Sequence, residues 1–521
     1  MPDRPDRPDP KAVRYDAAIV GAGIAGMSAA ARLQARGCST IVFEAHGQPG
    51  GCAGFFRRKS FAFDVGATTL VDFASGGVGG ELLQSIGMPP LEAEELPGYV
   101  AWLPDRAVTL HRDPAVWAQE RLRALGDTPA HRAFWRLLDQ LADVFWRVSR
   151  NGIKLPIQNI GDLTRAVMLL GARDLPLARY LTWTLGDALR AYHLRDDAPL
   201  CGFLSMLVED TTHSALDDAP LINAALGVTI RGAGLTRARG GMWGFWRRFR
   251  AHYQELGGVL RVGCAVERIE GQYGDFQVLT RRGLFHARQV VSAVPASLTA
   301  KLAPDLIGER LAPYLRRDET AQGGALVVFL GVPEAQVAGQ PFTHHQLLQD
   351  YSRPLGDGNN MFISVSAPGD EESAPAGHRA VMISTHCELE PWENLPPDMY
   401  QASKRAAGDA LVALARRVYP SLGENTLVNE VATPSTYLRY VRRPRGAVGG
   451  VRQTLWNTNQ RGIPHSLGVP GFWLAGDTTW PGLGTVACVL GSRIIADGAL
   501  SLAAASRAER TLFPIASGGR R

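Results

Sequence analysis

Three glycines and one glutamate near the N-terminus have the types and spacing of residues that bind a dinucleotide. Gly21, Gly23 and Gly26 follow the G-x-G-x-x-G spacing, and Glu44 stands at the end of the next apolar stretch. In this motif the first glycine makes a tight turn, the second lets the backbone approach a pyrophosphate, and the third lets a helix pack closely on a strand. The Glu44 carboxylate can accept hydrogen bonds from both hydroxyl groups of an adenosine ribose. On these residues alone, NAD and FAD both fit.

The elements around these residues are those that a Rossmann unit requires. Residues 17–20 are a short apolar run, typical of a buried parallel strand. Residues 27–36 are rich in alanine and predict a helix that ends at Gly37. Residues 39–43 predict a second strand, which carries Glu44 at its tip. The amino end of the helix would present free N–H groups and a positive dipole end to phosphates.

The composition of the chain is that of an ordinary globular protein. Of its 521 residues, 45% are hydrophobic and 20% are charged, and the length allows about two or three structural units. A net charge of +5 is small for this length, so we expect no nucleic-acid partner. The six cysteines are scattered without a C-x-x-C pair, which argues against a structural metal site and a disulfide framework. This cysteine usage favours a reducing compartment, the cytoplasm.

Three stretches bear on targeting and membranes. Residues 1–14 are rich in Pro, Asp and Arg, which predicts a disordered tail and not a signal peptide. Residues 483–505 are apolar but are interrupted by Arg493 and Asp497, so we expect no membrane span. A basic, aromatic group around a predicted helix over 242–256 is typical of contact with a membrane surface. It consists of Arg237, Arg239, Arg247, Arg248 and Arg250 with Trp243, Phe245, Trp246 and Phe249. A helix that packs on the nucleotide domain would show the same pattern, and both interpretations stay open.

A second motif near the C-terminus decides between the two dinucleotides. An apolar stretch there ends in Gly476-Asp477, and Gly482 and Gly484 precede a helix predicted from Thr485. In FAD enzymes of the glutathione-reductase superfamily, such an aspartate orients the ribityl or pyrophosphate part of the flavin. The helix that follows directs its amino end at the isoalloxazine, where it can stabilise negative charge. An NAD dehydrogenase has no need of this distant motif, so the pair of motifs predicts FAD.

The predicted fold class is α/β, with a discontinuous, glutathione-reductase-like Rossmann domain and an inserted domain. Helical periodicity over residues 129–230 predicts a helical cap. Residues 259–269 predict a single strand, and residues 403–418 predict a helix. After the tail in residues 1–14, we expect the FAD-binding domain in residues 15–95, 236–300 and 434–510, and the α+β substrate and cap domain in residues 96–235 and 301–433.

Several segments resemble one enzyme family over nearly the whole chain. They include VGAGIAGMSAAARLQARG from Val20, FDVGATTL from Phe63 and GDTTWPGLG from Gly476. The chain resembles the carotenoid desaturase and isomerase family, the phytoene-desaturase-like flavoproteins. The first segment is shared by many FAD oxidases. The other two are more specific and are more similar to the carotenoid 3′,4′-desaturase and carotenoid isomerase branches than to bacterial phytoene desaturases.

The resemblance implies a role for each matching residue. The pyrophosphate would lie at the first glycine motif, the adenosine ribose at Glu44, the adenine at the backbone of Val266, and the ribityl–phosphate at Asp477. The cofactor-binding residues implied are Gly21, Gly23, Ile24, Ala25, Gly26, Glu44, Ala45, Gly50, Gly51, Cys52, Gly66, Ala67, Thr68, Val266, Gly476, Asp477, Gly484, Thr485 and Val486. Many relatives have a basic residue where this chain has Cys52, which we interpret as a small packing residue. A second basic group, at 439–445, is interpreted as a solvated face or as a neighbour of the flavin phosphates.

The resemblance implies FAD-dependent desaturation of an acyclic carotenoid, either 3′,4′-desaturation or a reaction like that of phytoene desaturase. A flavin-dependent carotenoid cis–trans isomerase is the main alternative, followed by an amine-oxidase-type flavoenzyme and a non-enzymatic module that binds lipid or prenyl groups. The expected partners are an apolar long-chain carotenoid and the inner face of the cell membrane, with oxygen and a quinone both open as electron acceptor. His46, His193, His213 and His386 are interpreted as isolated, so no catalytic base is assigned.

Overall fold

The computed structural model describes residues 14–230 and 234–512. The strands are β1 Arg14–Val20, β2 Thr40–Phe43, β3 Phe55–Arg58, β4 Phe61–Asp64, β5 Leu70–Val71, β6 Ala93–Glu95, β7 Gly98–Trp102, β8 Ala107–His111, β9 Leu235–Ala238, β10 Val259–Arg261, β11 Val266–Gln272, β12 Asp275–Thr280, β13 Gly283–Ser292, β14 Gly324–Pro333, β15 His344–Leu348, β16 Asn360–Val365, β17 His378–Cys387, β18 Val428–Ala432 and β19 Phe472–Leu474. The helices are α1 Ile24–Ala35, α2 Val78–Ser85, α3 Pro114–Leu125, α4 Pro129–Arg150, α5 Ile160–Leu169, α6 Leu185–Ala191, α7 Ala198–Thr212, α8 Leu221–Ile230, α9 Gly241–Glu255, α10 Ala296–Leu302, α11 Glu309–Arg317, α12 Pro397–Ala415, α13 Pro434–Tyr440 and α14 Thr485–Leu512.

The first sheet is the predicted Rossmann sheet, in the order β10-β2-β1-β13-β12-β11, with β19 paired to β13. Strand β1 runs parallel to both β2 and β13 because its apolar residues are buried on both faces. Helix α1 begins at Ile24 and not at residue 27, so Gly26 lies inside it. A Cβ at Gly26 would stand 2.1 Å from the Gly21 carbonyl oxygen. The absence of a side chain therefore lets α1 pack on β1 as the motif requires.

One predicted strand is wrong for an identifiable reason. The expected single strand over 259–269 is two strands: β10, parallel to β2, and β11, antiparallel to β12. Between them the N–H groups of Gly263 and Cys264 donate to the carbonyl oxygens of His46 and Glu44, each at 2.8 Å. These two hydrogen bonds end β10 and bring Val266 beside the end of β2. The tail predicted in residues 1–14 lies outside the described residues except for Arg14, which begins β1.

The second sheet has the order β18-β14-β17-β16-β15-β7-β8. Its strands come from within 98–111 and 324–432, and only β15 and β7 pair in parallel. Helices α3, α4, α6, α7 and α8 contribute to an apolar core beside it, with Phe134, Trp135 and Phe203 fully buried. These segments fall in the ranges expected for the substrate and cap domain, whose exact boundaries stay a prediction.

Helix α9 is a core helix of the nucleotide domain. Phe245, Trp246 and Phe249 are buried in the same apolar cluster as α1 and α14. Of its arginines, Arg247 pairs with Glu372 at 2.8 Å, and Arg248 pairs with Glu372 and with a glutamate before β6. The interpretation of this helix as a membrane-surface contact is therefore wrong, because its aromatic side chains are already covered by protein.

Helix α14 is long and apolar enough, over Thr485–Ser506, to meet the length and composition of a membrane span. In the structure 61% of that window is buried, mostly against α1 and α2. Arg32 of α1 donates to the Ser492 hydroxyl at 3.2 Å, and Arg36 pairs with Asp497 at 2.7 Å. These contacts are those of a core helix in the Rossmann domain.

Candidate cofactor and substrate site

One cavity of about 1630 Å³ extends from the edge of the Rossmann sheet to the second sheet. This volume exceeds the ~300–1,000 Å³ of a common small-molecule pocket, so it has room for a dinucleotide and a second ligand. Of the predicted cofactor-binding residues, the following line it: Gly21, Gly23, Ile24, Ala25, Glu44, Ala45, Gly50, Gly51, Cys52, Gly66, Ala67, Thr68, Val266, Gly476, Asp477, Gly484, Thr485 and Val486. Gly26 does not line it, and what the structure assigns to Gly26 is close helix packing.

The turn before α1 has the geometry of a phosphate site. The N–H of Gly50 donates to the carbonyl of Ala22 at 2.9 Å, which joins the second glycine pair to the first turn. A Cβ built at Gly23, the residue that precedes α1, meets no atom within 4 Å. The backbone at Gly23 therefore faces open cavity, next to the free N–H groups of the first helical turn. These residues fit a pyrophosphate.

Glu44 is held in place by two backbone groups. Its Oε2 accepts from the N–H of Ala22 and its Oε1 from the N–H of His46, each at 2.8 Å. The Glu44 carbonyl accepts from Cys264, whose chain leads directly into Val266. The carboxylate is fixed at the cavity wall with lone pairs remaining for ribose hydroxyls, and the backbone of Val266 lies within reach of the adenine end.

The loops at the predicted flavin are held together by close backbone contact. A Cβ at Gly66 would stand 2.4 Å from the Cys52 carbonyl oxygen, so the two loops touch. The indole N–H of Trp246 donates to the Ala53 carbonyl at 2.7 Å, and the Tyr437 hydroxyl donates to the Val65 carbonyl at 2.7 Å. The buried aromatic residue of α9 thus positions a segment of the cavity wall.

A buried ion pair anchors the loop that contains Gly66 and Ala67. Asp64 is 5% exposed at its side chain and Arg237 is 4% exposed, and their charged atoms are 2.7 Å apart. Asp64 also accepts from the N–H of Met242 at 2.7 Å, and Arg237 donates to the Thr68 carbonyl at 3.0 Å. Burial raises the pKa of Asp64 despite the lowering effect of Arg237. The pair connects this loop to α9.

A second ion pair stands where the ribityl–phosphate is expected. Asp477 accepts from both terminal nitrogens of Arg443, at 2.9 and 3.2 Å. Arg443 is 8% exposed, and its Nε has no hydrogen-bond partner among the described residues. Of the two interpretations of the basic group at 439–445, the solvated face is therefore wrong for Arg443, which is buried and already paired with Asp477. Burial raises the pKa of the Cys52 thiol, although Arg443 opposes this effect, so Cys52 is a neutral packing residue.

The far part of the cavity has an apolar and a polar wall. The apolar wall comes from strands β14, β16 and β17 and includes Val327, Phe329, Phe362 and Met382. The polar wall brings together two of the histidines interpreted as isolated. The rings of His213 and His386 lie 4.8 Å apart, and Nδ1 of His386 is 3.4 Å from a carboxylate oxygen of Glu209. Glu209 and His213 belong to α7 and its end whereas His386 belongs to β17, so no local pattern in the sequence indicates this contact.

Comparison with known proteins identifies the fold and the class. The sequence model of the flavin-containing amine oxidoreductase family matches residues 24–493. The chain belongs to this family. Among solved structures, putrescine oxidase superposes with a TM-score of 0.62 at 15% identity, over 94% of this chain and 99% of that one. Cyclohexylamine oxidase from Brevibacterium oxydans superposes with a TM-score of 0.59 at 17% identity, over 94% and 100% of the two chains. At these identities the likeness shows the fold.

Curated relatives extend the comparison to carotenoid enzymes. Prolycopene isomerase of Arabidopsis thaliana is 25% identical over 502 residues, which is 91% of this chain and 80% of that protein. The lycopene-forming phytoene desaturase of a Paracoccus species is 23% identical over 521 residues, 93% of this chain and 97% of that protein. 4,4′-Diapolycopene oxygenase of a Methylomonas species is 22% identical, over 92% and 97% of the two chains. The predicted resemblance to carotenoid desaturases and isomerases, the Rossmann-type fold and the FAD cofactor are confirmed.

In an amine-oxidase-type enzyme, the cysteine near the C-terminal motif, Cys488, would be the candidate for covalent attachment of the flavin. Cys488 lies inside α14, where it is 8% exposed. Burial strongly raises the pKa of its thiol, so the reactive thiolate is disfavoured there. The non-enzymatic alternative is set aside because the chain retains both FAD motifs on one cavity within a family of flavoenzymes.

Proposed function

We propose that the protein is an FAD-dependent desaturase of an acyclic carotenoid. The observation that carries this proposal is the continuity of the cavity, in which the cofactor-binding residues open directly onto an apolar wall of the second sheet. A polyene lying along Phe329, Phe362 and Met382 would have its carbon chain next to the flavin-binding loops. The curated relatives include a phytoene desaturase and a prolycopene isomerase, and both support a carotenoid as the substrate.

The residues of the chain supply positioning and exclusion of water. A bound oxidised flavin supplies the hydride acceptor that desaturation of a C–C bond requires. Glu44 and the first turn of α1 would hold the adenosine and pyrophosphate, and the Arg443–Asp477 pair would hold the ribityl–phosphate region. The apolar wall would exclude water from the polyene.

A carotenoid cis–trans isomerase is the second candidate. It is favoured by the prolycopene isomerases of Arabidopsis and of carrot, which match 91% of this chain. Expression in a host that accumulates lycopene separates the two reactions. A product with a longer conjugated system and red-shifted absorption supports desaturation, whereas a changed ratio of isomers with unchanged mass supports isomerisation. An unchanged pigment profile with FAD-loaded protein present would contradict both.

We also propose peripheral attachment to the inner face of the cell membrane, through α5 and the 3-10 helix at Ala172–Thr182. Large apolar side chains of this segment point to solvent: Ile160, Leu163, Val167, Met168, Leu170, Leu175 and Leu181. The charged residues that line a groove beside the segment are four arginines, Arg136, Arg147, Arg173 and Arg179, and two aspartates, Asp143 and Asp174. Apolar side chains among cations suit a surface of anionic lipid. The scattered cysteines, which form no C-x-x-C pair, suit the reducing cytoplasm.

Removal of two apolar side chains tests this attachment. Val167 and Met168 are 63% and 74% exposed, so V167S/M168S should leave the fold intact. Burial of each in lipid is worth at least about 1.5 kcal/mol, so the double variant should bind vesicles of phosphatidylglycerol and phosphatidylcholine ~100-fold more weakly. The control is L279S/L284S, which alters side chains that are 41% and 40% exposed on the β12–β13 hairpin. Equal sedimentation of both variants with vesicles would rule out this segment as the site of membrane attachment.

A further inference from the structure

A groove of about 700 Å³ lies between α4 and the 3-10 helix at Ala172–Thr182. It shares no lining residue with the cavity that contains the predicted FAD-binding residues. Four polar residues of α4 line it, at positions 136, 140, 143 and 147, and this spacing places them on one face of the helix. We call it the arginine groove, because its cations are the four arginines at 136, 147, 173 and 179.

Three of the four arginines have no carboxylate partner. Arg147 is neutralised, because it forms an ion pair with Asp174. In the part of the chain that the structure describes, Arg136 and Arg173 form no ion pair and no hydrogen bond, and Arg179 forms no ion pair. Three like charges that line one groove repel each other, and an anion bound between them would remove this repulsion.

Two of these cations come from different elements and act on the same phenol. Burial raises the pKa of Tyr192, which lines the groove, whereas the positive charges of Arg179 and Arg136 lower it. The guanidinium of Arg179 is fixed in place, since it lies 4.7 Å from the centre of the Tyr180 ring and donates to the Tyr180 hydroxyl at 2.6 Å. The arginine of α4 and the arginine of the 3-10 helix are therefore directed into one groove.

The groove also contains an acceptor without a donor. Asp143 is a lining carboxylate that has no ion-pair partner and accepts no hydrogen bond among the described residues. Burial and the neighbouring charge of Asp139 raise the pKa of Asp143, so a hydroxyl group that donates to this carboxylate would stabilise it. Three unpaired arginines and one unpaired aspartate leave the groove with an excess of two positive charges. The occupant that fits them is an anion that also carries a hydroxyl group.

The 3-10 helix that supplies Arg173 and Arg179 also exposes large apolar side chains. Leu175 and Leu181 are 65% and 60% exposed, and they belong to the segment proposed above for membrane attachment. A free phosphate ion would use the cations and leave these side chains in water. A phospholipid joins its phosphate to acyl chains and would use both.

We propose that the arginine groove binds the headgroup of an anionic glycerophospholipid of the phosphatidylglycerol type. This inference rests on the proposed membrane attachment and names the lipid that it selects. The phosphodiester oxygens accept from Arg136, Arg173 and Arg179, and a headgroup hydroxyl donates to Asp143. Phosphatidylcholine has no net charge and no such donor. Phosphatidylethanolamine could donate to Asp143, but it has no net charge and would leave the excess of positive charge in place.

Co-sedimentation of the FAD-loaded full chain with vesicles tests the cations. We expect tighter binding to phosphatidylcholine vesicles that contain phosphatidylglycerol than to phosphatidylcholine alone. R136Q/R173Q should weaken binding to the anionic vesicles about 30-fold, at a contribution of about fivefold for each arginine. The matched control is R282Q/R316Q, which removes the same charge from exposed arginines that form no ion pair among the described residues. If R136Q/R173Q does not fold, Arg173→Gln replaces it, with an expected loss of about fivefold.

A second comparison tests Asp143 by a readout that general attraction to negative charge would not give. Phosphatidylmethanol has the same charge as phosphatidylglycerol but no hydroxyl group on its headgroup. The wild-type protein should bind vesicles of phosphatidylglycerol about fivefold more tightly than vesicles of phosphatidylmethanol. Asp143→Ala should lose this preference. General attraction predicts instead that Asp143→Ala, which removes a negative charge, binds both kinds of vesicle more tightly.

The outcomes separate this inference from the attachment on which it rests. Binding to neither phosphatidylglycerol nor phosphatidylcholine vesicles overturns both. Equal binding to the two overturns the headgroup site and leaves attachment through apolar side chains standing. Equal losses in R136Q/R173Q and R282Q/R316Q, or a phosphatidylglycerol preference that persists in Asp143→Ala, also overturn the site. Displacement from anionic vesicles by inorganic phosphate, but not by sodium chloride at equal ionic strength, would assign the arginines to a soluble anion and overturn the lipid.

Discussion

Replacement of Glu44 by alanine should release FAD while leaving the Rossmann sheet intact. Glu44 is the only described carboxylate that bridges the first glycine turn and the tip of β2, since it accepts from Ala22 and His46. It lies at the cavity wall and not in the apolar core. Its loss therefore removes ligand contacts and two local hydrogen bonds without creating a cavity in the sheet.

The magnitude follows from the number of bonds lost. A hydrogen bond to a charged group contributes about 1.5–3 kcal/mol, and a carboxylate can accept from both ribose hydroxyls. Two such bonds at the low end amount to about 3 kcal/mol, which corresponds to ~100-fold weaker binding of FAD. The N–H groups of Ala22 and His46 can turn to water of the cavity, so the apoprotein should lose only about 1 kcal/mol of stability.

The assay is a titration of FAD with apoprotein, followed by quenching of flavin fluorescence, with the Tm of the apoprotein measured in parallel. Glu267→Ala is the matched control, because it removes an exposed carboxylate next to Val266 that pairs with Arg281 and does not line the cavity. Glu44→Gln, which keeps one acceptor oxygen, should fall between wild type and Glu44→Ala. A Kd for FAD within about twofold of wild type in Glu44→Ala would refute the placement of the adenosine.

Two further predictions concern stability. Arg237→Met leaves the Asp64 carboxylate buried without its cation, so the free energy of unfolding measured in urea should fall by about 3–5 kcal/mol. The double variant Asp64→Asn/Arg237→Met should recover part of this loss. A loss below about 1 kcal/mol in Arg237→Met would contradict a buried ion pair that is shielded from water. Burial lowers the pKa of His345 to about 4, below its ordinary value of 6.5, so the unfolded chain binds a proton in this interval that the folded chain does not. The free energy of unfolding should therefore fall as the pH drops from about 6.5 to about 4. Urea unfolding at pH 7, 5.5 and 4.5 should show a smaller fall for His345→Gln than for the wild-type protein. An equal fall in both proteins would exclude His345 as the cause.

The nucleotide half of the molecule could be predicted because its signals are local. The glycine turn and the strand that ends at Glu44 lie within thirty residues, so spacing alone places them. The C-terminal Gly476-Asp477 motif is distant but has a fixed context of strand, loop and helix. Errors here concern boundaries, such as the division of 259–269, where hydrogen bonds from Gly263 and Cys264 to the tip of β2 end the strand. Periodicity cannot show a tertiary contact of that kind.

The substrate half could be predicted only as a set of strands and helices. The α+β character of this half was expected, but the register of antiparallel pairs decides which side chains face the cavity, and register is not visible in one sequence. Glu209 and His213 belong to α7 and its end whereas His386 belongs to β17, so each by itself resembles an ordinary core residue. Their shared wall exists only after α7 has packed against the second sheet.

The positions of two glycines relate this wall to the cofactor. A Cβ at Gly449 would stand 2.1 Å from the His213 ring, and a Cβ at Gly450 would stand 2.4 Å from the Asp477 carbonyl oxygen. Only backbone therefore separates the His213 ring from the loop that contains Asp477, where the ribityl–phosphate is expected, and any side chain at either position would push the two apart.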